Sequence, residues 1–473
     1  MPYRHLLWVI LAPCTVLALA VWSLSAPPPE KDYQRLQTIV DVLAEVDRSY
    51  YRKLSEDERQ AMVEAMIQAG LNHLDPYSQY FNEKELKQFT AENRGVFGGI
   101  GAMLGVDPRT GTITIDNVLP ESPALAGGLL AKDLILKVDG VATNPNNVET
   151  VRAVIKGEPG TAVTLTIGRA EATFDVVLTR AIIQIQTLKG YRHTAPTAKA
   201  WDYLIDPQAG IAYIRLLEFN EKAAAEMQAA LKEIDAAGGR ALILDLRDNG
   251  GGLLNMAEQI ADLFLAEGVI VRTQDRAQLE KKVSAKNDSS PWELPSKRPM
   301  VVLLNRNSAS ATEIVAAALQ DNNRATIIGE RSYGKGSVQR NIVAADDKSA
   351  IKITTQIWLT PKGRHIDRGV ILTDSEAKDI TRDKDAYGVK PDAGFDVPLT
   401  NEQIYQIILH QREVDMGREP TTAKAIEAKP GEKGKGNMPP LDPTFRDPVV
   451  RRAIDELSKQ VGQAALGQRP KAS

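Results

Sequence analysis

NSASATEIVAAALQDNNR, running from Asn307 to Arg324, decides the class of fold. The preceding run PMVVLLN (Pro299 to Asn305) is short and apolar, as a buried strand should be, and the alanine-rich run from Ala311 onward reads as a helix. Strand, tight turn and helix in that order predict an α/β core. The turn holds two serines two residues apart, Ser308 and Ser310. Ser310 with Glu313 has the pattern of a capping box, which would make the serine structural. The position also fits a nucleophile, because the first amides of a helix lack backbone partners and point at any negative charge that develops there. With only five histidines in 473 residues, the base need not be histidine. A desolvated lysine loses its proton more readily and can activate a serine.

The same alternation extends over residues 183–400, within a core domain bounded at 183–416. IAYIRLLEF (Ile211 to Phe219) and ALILDLRDNGG (Ala241 to Gly251) read as strands; EKAAAEMQAALKEIDAAG and MAEQIADLFLAEG read as helices. Across 94–182 the character differs. Glycines cluster in GVFGGIGAMLG, and TITIDNVL, DLILKVDG, AVTLTIGR and TFDVVLTR are short apolar runs divided by turn signals, which predicts a small β-rich domain. Residues 31–93 read as helical, with Ser55 and Glu58 forming a capping box and LDPYSQYF (Leu74 to Phe81) breaking the pattern. Residues 417–443 have the composition of a flexible linker. In 444–473 a last helix carries Val450, Ile454, Leu457 and Val461 on one face, which must dock on the core or on a second subunit.

Residues 1–30 place Arg4 and His5 before an apolar run from Leu6 to Ala26. A cleaved signal peptide and a membrane anchor both fit, and both imply export. Lipidation at Cys14 is set aside, because Pro13 precedes it and the apolar run continues past it. As the single cysteine, Cys14 forms no internal disulfide. Lys and Arg number 58 against 61 Asp and Glu, a net charge of −3, so nothing marks a general nucleic-acid binder. His73, His193, His365 and His410 have no mutual metal-ligand spacing, and no metal or cofactor is expected.

Two further stretches have two readings each. DLRDNGGG (Asp245 to Gly252) is an ordinary strand-to-helix turn, or a glycine turn that presents amides to an oxyanion. GERSYGKGSVQ (Gly329 to Gln339) is a surface glycine loop with a solvated lysine, or it delivers Lys335 as a base with Gln339 four residues on. It is not a phosphate loop, since Gly336 follows the lysine where GxxxxGK[ST] needs Ser or Thr.

Spacing does not show whether these stretches meet. Taken in order, with YIRLLEF, LDPYSQYF and VKPD (Val389 to Asp392), they resemble the carboxy-terminal processing peptidases, or tail-specific proteases, over roughly residues 35–400. The resemblance implies an α/β, crotonase-like peptidase core with an inserted small β-rich PDZ domain and N- and C-terminal helical segments. It implies a Ser-Lys serine endopeptidase that processes or degrades exported proteins from their C-terminal tails. Ser310 would be the nucleophile, Lys335 the general base and Gln339 the residue that orients the lysine; Ala311 with Gly251 or Gly252 would form the oxyanion hole. In the β-rich domain, Gly98, Gly99, Ile100 and Gly101 would cradle a substrate's terminal carboxylate. The chain departs from the family pattern at Ala131-Lys132, where Pro-Gly is usual, and at Gly250, where proline is frequent.

The expected partners are protein substrates with free C-terminal tails, with a homodimer or an adaptor-bound oligomer left open, membrane contact through the N-terminal segment, and no nucleic acid. The expected location is the periplasm, either free or anchored in the inner membrane. Two rival readings are a catalytically silent PDZ scaffold and an enoyl-CoA hydratase-type enzyme on the shared core fold. Intact Ser310 and Lys335 argue against the first, and the lack of an identifiable carboxylate pair against the second.

Overall fold

The computed structural model describes residues 30–106, 112–119, 121–143, 148–184, 186–195, 200–286, 292, 298–345, 347–369, 387–418 and 441–467. The proposed signal or anchor and most of the 417–443 linker lie outside them. Among the described residues no helix is long and apolar enough to cross a membrane. The chain divides into two compact units, residues 1–70 and 71–473. The described residues of the first are mainly helical. There Ser55 and Glu58 exchange bonds, Ser55 N–H to Glu58 Oε2 at 2.9 Å and Glu58 N–H to Ser55 Oγ at 3.2 Å, which caps the helix Glu56–Leu74.

In the second unit the strands Ile211–Leu216, Ala241–Asp245, Met300–Leu304 and Thr326–Gly329 lie side by side and parallel. Their side chains alternate between two covered faces. Ile214, Leu216, Leu242, Leu244, Val302 and Leu304 pack with the helices Ala223–Ala236, Leu254–Asp262 and Ala311–Asp321. Tyr213, Ile243, Val301 and Leu303 pack instead with Val449, Ala453 and Leu457 of the helix Pro448–Gly467. The apolar stripe of that last helix therefore docks on the core sheet, with Val450, Ile454 and Val461 flanking the contact. Burial on both faces explains why these strands read as unbroken apolar runs rather than alternating ones.

An ion-pair chain ties the last helix to the sheet. Asp447 meets Arg247 at 2.8 Å; Arg247 Nη2 meets Asp245 Oδ2 at 2.6 Å, and the Tyr213 hydroxyl donates to the same oxygen at 2.7 Å. Burial opposes the Asp245 charge, but the Arg247 guanidinium outweighs it and holds the carboxyl below its usual range.

A second, antiparallel sheet joins Gln79–Phe81, Ala350–Leu359, Val269–Asp275 and Glu280–Ser284, with Ser337–Val343 also paired to Ala350–Leu359. The β-rich domain is a third sheet in the order Ala102–Val106, Ile113–Val118, Leu134–Val138, Ala162–Arg169, Ala172–Thr179, around buried Ile115, Ile135, Leu165 and Ile167. The run TITIDNVL thus supplies an interior strand, and Ala102–Val106 and Ala172–Thr179 are the end strands of the sheet.

Candidate active site

Ser308 and Ser310 have different surroundings. Ser308 is fully buried; its hydroxyl donates to the Leu246 carbonyl at 2.9 Å and accepts from the Asn305 amide at 3.0 Å, pinning the loop to the end of the neighbouring strand. Ser310 is half-buried, and its backbone carbonyl accepts from the Glu313 amide at 2.8 Å. Its backbone has φ 59° and ψ −117°, and the Ala309 carbonyl accepts from Thr312 N–H at 3.2 Å. That is the first central position of a type II′ turn, where glycine is the usual residue. A serine held there carries strain of about 1–3 kcal/mol, and such strain gathers at functional turns. Ala311 follows as the first helical residue, so its amide has no intrahelical acceptor.

Glu313 holds the turn in place. Its carboxylate is fully buried and accepts from the Ser310 amide (2.8 Å), the Ser332 hydroxyl (2.5 Å), the Gly334 amide (2.6 Å) and the Lys335 amide (2.9 Å). Burial pushes its pKa up, and those four donors pull it back. The capping-box glutamate thus fastens the GERSYGKG loop to the serine turn. Ser332 also takes the Val389 amide at 2.7 Å, which brings the VKPD stretch to the same place.

Lys335 is packed in, so the surface-loop reading is set aside. Its Nζ lies 4.6 Å from the centre of the Tyr77 ring, and its carbonyl accepts from Trp358 Nε1 at 2.8 Å. Burial pulls its pKa from 10.5 to about 8; Lys352 lowers it further, while Glu313 and Asp75 act the other way. The flanking glycines are needed for close packing: a Cβ on Gly334 would lie 2.9 Å from the Ile366 carbonyl, and one on Gly336 2.8 Å from Asp367 Cβ. Gln339 donates its side-chain nitrogen to Ser337 Oγ (2.8 Å) and Thr354 Oγ1 (3.1 Å), and no hydrogen bond joins it to Lys335 among the described residues.

The glycine turn abuts the serine turn. Gly251 has φ 103°, and a Cβ there would fall 2.9 Å from Ser310 Cβ and 3.0 Å from the Ala311 nitrogen. Asn249 locks the two turns together: its carbonyl accepts from the Ala309 amide (3.0 Å) and the Thr312 hydroxyl (2.9 Å), while its Oδ1 takes the Gly251 amide (2.9 Å). Among the described residues the Gly251 amide is taken by Asn249, whereas no hydrogen bond is described for the Gly252 amide.

In the β-rich domain the four expected carboxylate-binding residues divide. Gly98 and Gly99 belong to a strand, Val96–Gly99, paired antiparallel with Ala181–Gln184, and the Gly98 carbonyl also takes the Gly157 amide at 3.1 Å. Ile100 and Gly101 form the turn beyond it. Their carbonyls accept from the Ala124 and Leu119 amides, each at 2.8 Å.

Sequence reading assigned no role to Glu313 beyond capping, nor any to Tyr77 and Asn249. Tyr77 sits inside LDPYSQYF, a stretch that breaks the helical pattern and shares in the family resemblance but gives Tyr77 itself no role. Among the described residues no group of three or more His, Cys, Asp or Glu is placed to hold a metal.

Residues 210–377 match Peptidase family S41 and residues 90–168 match the PDZ domain. A carboxy-terminal-processing protease of Bartonella bacilliformis is 32% identical over 407 residues, spanning 85% of this chain and 87% of that protein. The carboxyl-terminal-processing protease of Synechocystis is 33% identical over 322 residues, 68% of this chain and 71% of its own length. Among solved structures, the photosystem II D1 C-terminal processing protease is 27% identical, with a TM-score of 0.40, over 76% of this chain and 92% of that one. The chain belongs to peptidase family S41. It is a serine peptidase with a PDZ domain, and the relatives it matches are carboxy-terminal processing proteases.

Proposed function

We propose that this chain is an exported endopeptidase that trims or degrades proteins from their C-terminal tails, with Ser310 as nucleophile and Lys335 as base. The carrying observation is the Glu313 carboxylate, which binds the backbones of a strained serine and a half-buried, low-pKa lysine at once. Neutral Lys335 takes the Ser310 proton as Oγ attacks the scissile carbonyl. The oxyanion settles on the Ala311 and Gly252 amides. Lys335 then protonates the departing amine, leaving an acyl-enzyme that water hydrolyses by the same route. Since the Gln339 nitrogen is held by Ser337 and Thr354, its carbonyl oxygen is the atom that would orient Lys335.

In the PDZ domain, the Ile100 and Gly101 amides would take the tail carboxylate while the tail adds as a strand to Ala102–Val106. The apolar N-terminal run supports export. A silent scaffold would have no use for the strained serine or the depressed lysine. Two measurements test the proposal: a folded Ser310→Ala protein should cleave nothing, and peptides with a free α-carboxylate should be cut roughly tenfold faster than their amides, since one charge-assisted bond is worth about 1.5–3 kcal/mol. Equal turnover of acid and amide would remove the tail-reading part.

A further inference from the structure

The stretch LDPYSQYF enters the same sheet that carries Gln339. Its strand Gln79–Phe81 pairs antiparallel with Ala350–Leu359, Gln79 opposite Lys352. On the other side of Ala350–Leu359, Gln339 stands opposite Thr354. The first ladder ends at Gln79, and one residue earlier the Ser78 hydroxyl accepts from the Thr354 amide at 3.2 Å. Thr354 Oγ1 in turn accepts from Gln339 Nε2 at 3.1 Å. A chain of bonds therefore runs from Ser78 to the side chain read as orienting Lys335.

Asp75 stands at the head of that chain. It is buried, and its Oδ2 accepts from the Ser78 hydroxyl at 2.8 Å. Its Oδ1 accepts from the Tyr77 amide at 2.7 Å and the Ser78 amide at 2.8 Å. These bonds fix the backbone of Tyr77, whose ring lies over Lys335 Nζ. One side chain thus sets both the cover of the lysine and the hydroxyl that reaches toward Gln339. A turn of this kind forms equally well around asparagine, so the buried charge needs a separate reason. The charged groups that act on Lys335 supply it. Lys352 adds to the effect of burial and lowers its pKa, whereas Glu313 and Asp75 raise it. The Asp75 charge therefore keeps the neutral lysine basic enough to take a serine proton.

We propose that Asp75 is a positioning residue of the peptidase site, holding Tyr77 over Lys335 and, through Ser78 and Thr354, holding Gln339 where it orients the base. The inference rests on the reading of Lys335 as that base.

The test measures kcat and KM against pH for the full chain, with one fluorogenic peptide bearing a free C-terminus. Asp75→Asn preserves the turn. Its amide oxygen accepts the same two backbone amides, and its NH2 donates to the Ser78 oxygen, which has two lone pairs. Only the charge is lost, so the midpoint of the kcat/KM profile should move to lower pH than the parent's, which lies near 8. Ser78→Ala keeps the charge and cuts the link to Thr354. There kcat should fall about tenfold or more while KM and the midpoint hold. Thr354→Val should reproduce that loss, and Thr354→Ser, which keeps the hydroxyl, should retain parental kcat. Thermal transitions show which variants are folded; should Asp75→Asn not fold, the Ser78 and Thr354 variants carry the test. A midpoint unmoved in Asp75→Asn, or parental kcat in Ser78→Ala and Thr354→Val, overturns the proposal. So does a Thr354→Ser protein as impaired as Thr354→Val, which would mark packing rather than the bond. Lys335→Met separates the two readings. If it is inactive while the Asp75 and Ser78 variants match the parent, only the role of Asp75 falls. If it still cleaves, Lys335 is not the base, and this inference falls with that reading.

Discussion

Ser310 and Lys335 give their backbone amides to one atom, Oε2 of Glu313, at 2.8 and 2.9 Å. The two residues come from different loops, and this shared acceptor fixes one relative to the other. A single buried carboxylate thus sets the geometry on which proton transfer depends.

Glu313→Gln should therefore lose both activity and stability. An amide offers one acceptor oxygen and turns an NH2 toward donors, so at least one of the four present partners is left unsatisfied in a buried place. We expect kcat/KM to fall at least about a hundredfold and unfolding free energy to drop by about 1–3 kcal/mol. Peptide kinetics and urea titration would measure the two effects; a variant with parental kinetics would show that the shared acceptor is dispensable.

Activity should rise with pH on the lysine's ionisation. Lys335 titrates near 8 in the folded chain, so kcat/KM should climb about tenfold per pH unit below that value and level off above it. Stability has a matching sign. Between about pH 8 and 10.5 the unfolded lysine holds a proton that the folded one has lost, so unfolding free energy increases with pH across that window. Below it the charged lysine disfavours the fold by up to ~3 kcal/mol. Lys335→Met should be inactive and more stable than the parent at pH 7. A rate profile that turns over near pH 6.5, the ordinary range of histidine, would contradict the assignment.

Substitutions at Ser310 should separate strain from chemistry. Ser310→Gly and Ser310→Ala both remove the hydroxyl and should both be inactive. Only glycine relieves the positive φ, so Ser310→Gly should exceed Ser310→Ala in stability by about 1 kcal/mol. Calorimetry at matched pH checks this, and equal transition temperatures would mean that the turn is unstrained.

Ser308→Ala is the counterpart. It deletes a buried hydroxyl with two partners, Leu246 and Asn305, and should cost about 1–3 kcal/mol while leaving most of the activity per folded molecule. If it abolished cleavage without unfolding the protein, the wrong serine would have been named.

What was legible in the sequence was local. The strand, serine turn and helix around Ser310, the glycine turn at Asp245 to Gly252 and the small β-rich domain all follow from short-range periodicity and turn residues. What was not legible needed groups far apart in the chain. Glu313 looks like a cap because its Ser310 bond lies three residues away, whereas the Ser332, Gly334 and Lys335 donors come from about twenty residues on. Tyr77 reaches Lys335 only because Gln79–Phe81 pairs with Ala350–Lys352. Gly98 and Gly99 look like a loop, since glycine carries no strand signal, yet pairing with Ala181–Ile182 makes them a ladder. Gly251 and Gly252 differ in that Asn249 Oδ1 takes the Gly251 amide, a turn geometry that residue type alone does not show.

The helix Pro448–Gly467 has a consequence for biosynthesis. The strand beginning at Ile211 leaves the ribosome roughly 240 residues ahead of Val449, which covers it, and contacts so far apart in sequence form late and slowly. During that interval Tyr213, Ile243, Val301 and Leu303 lack their cover and Arg247 lacks Asp447. A nascent chain already carries Ser310 and Lys335 but not the finished sheet that holds their loops.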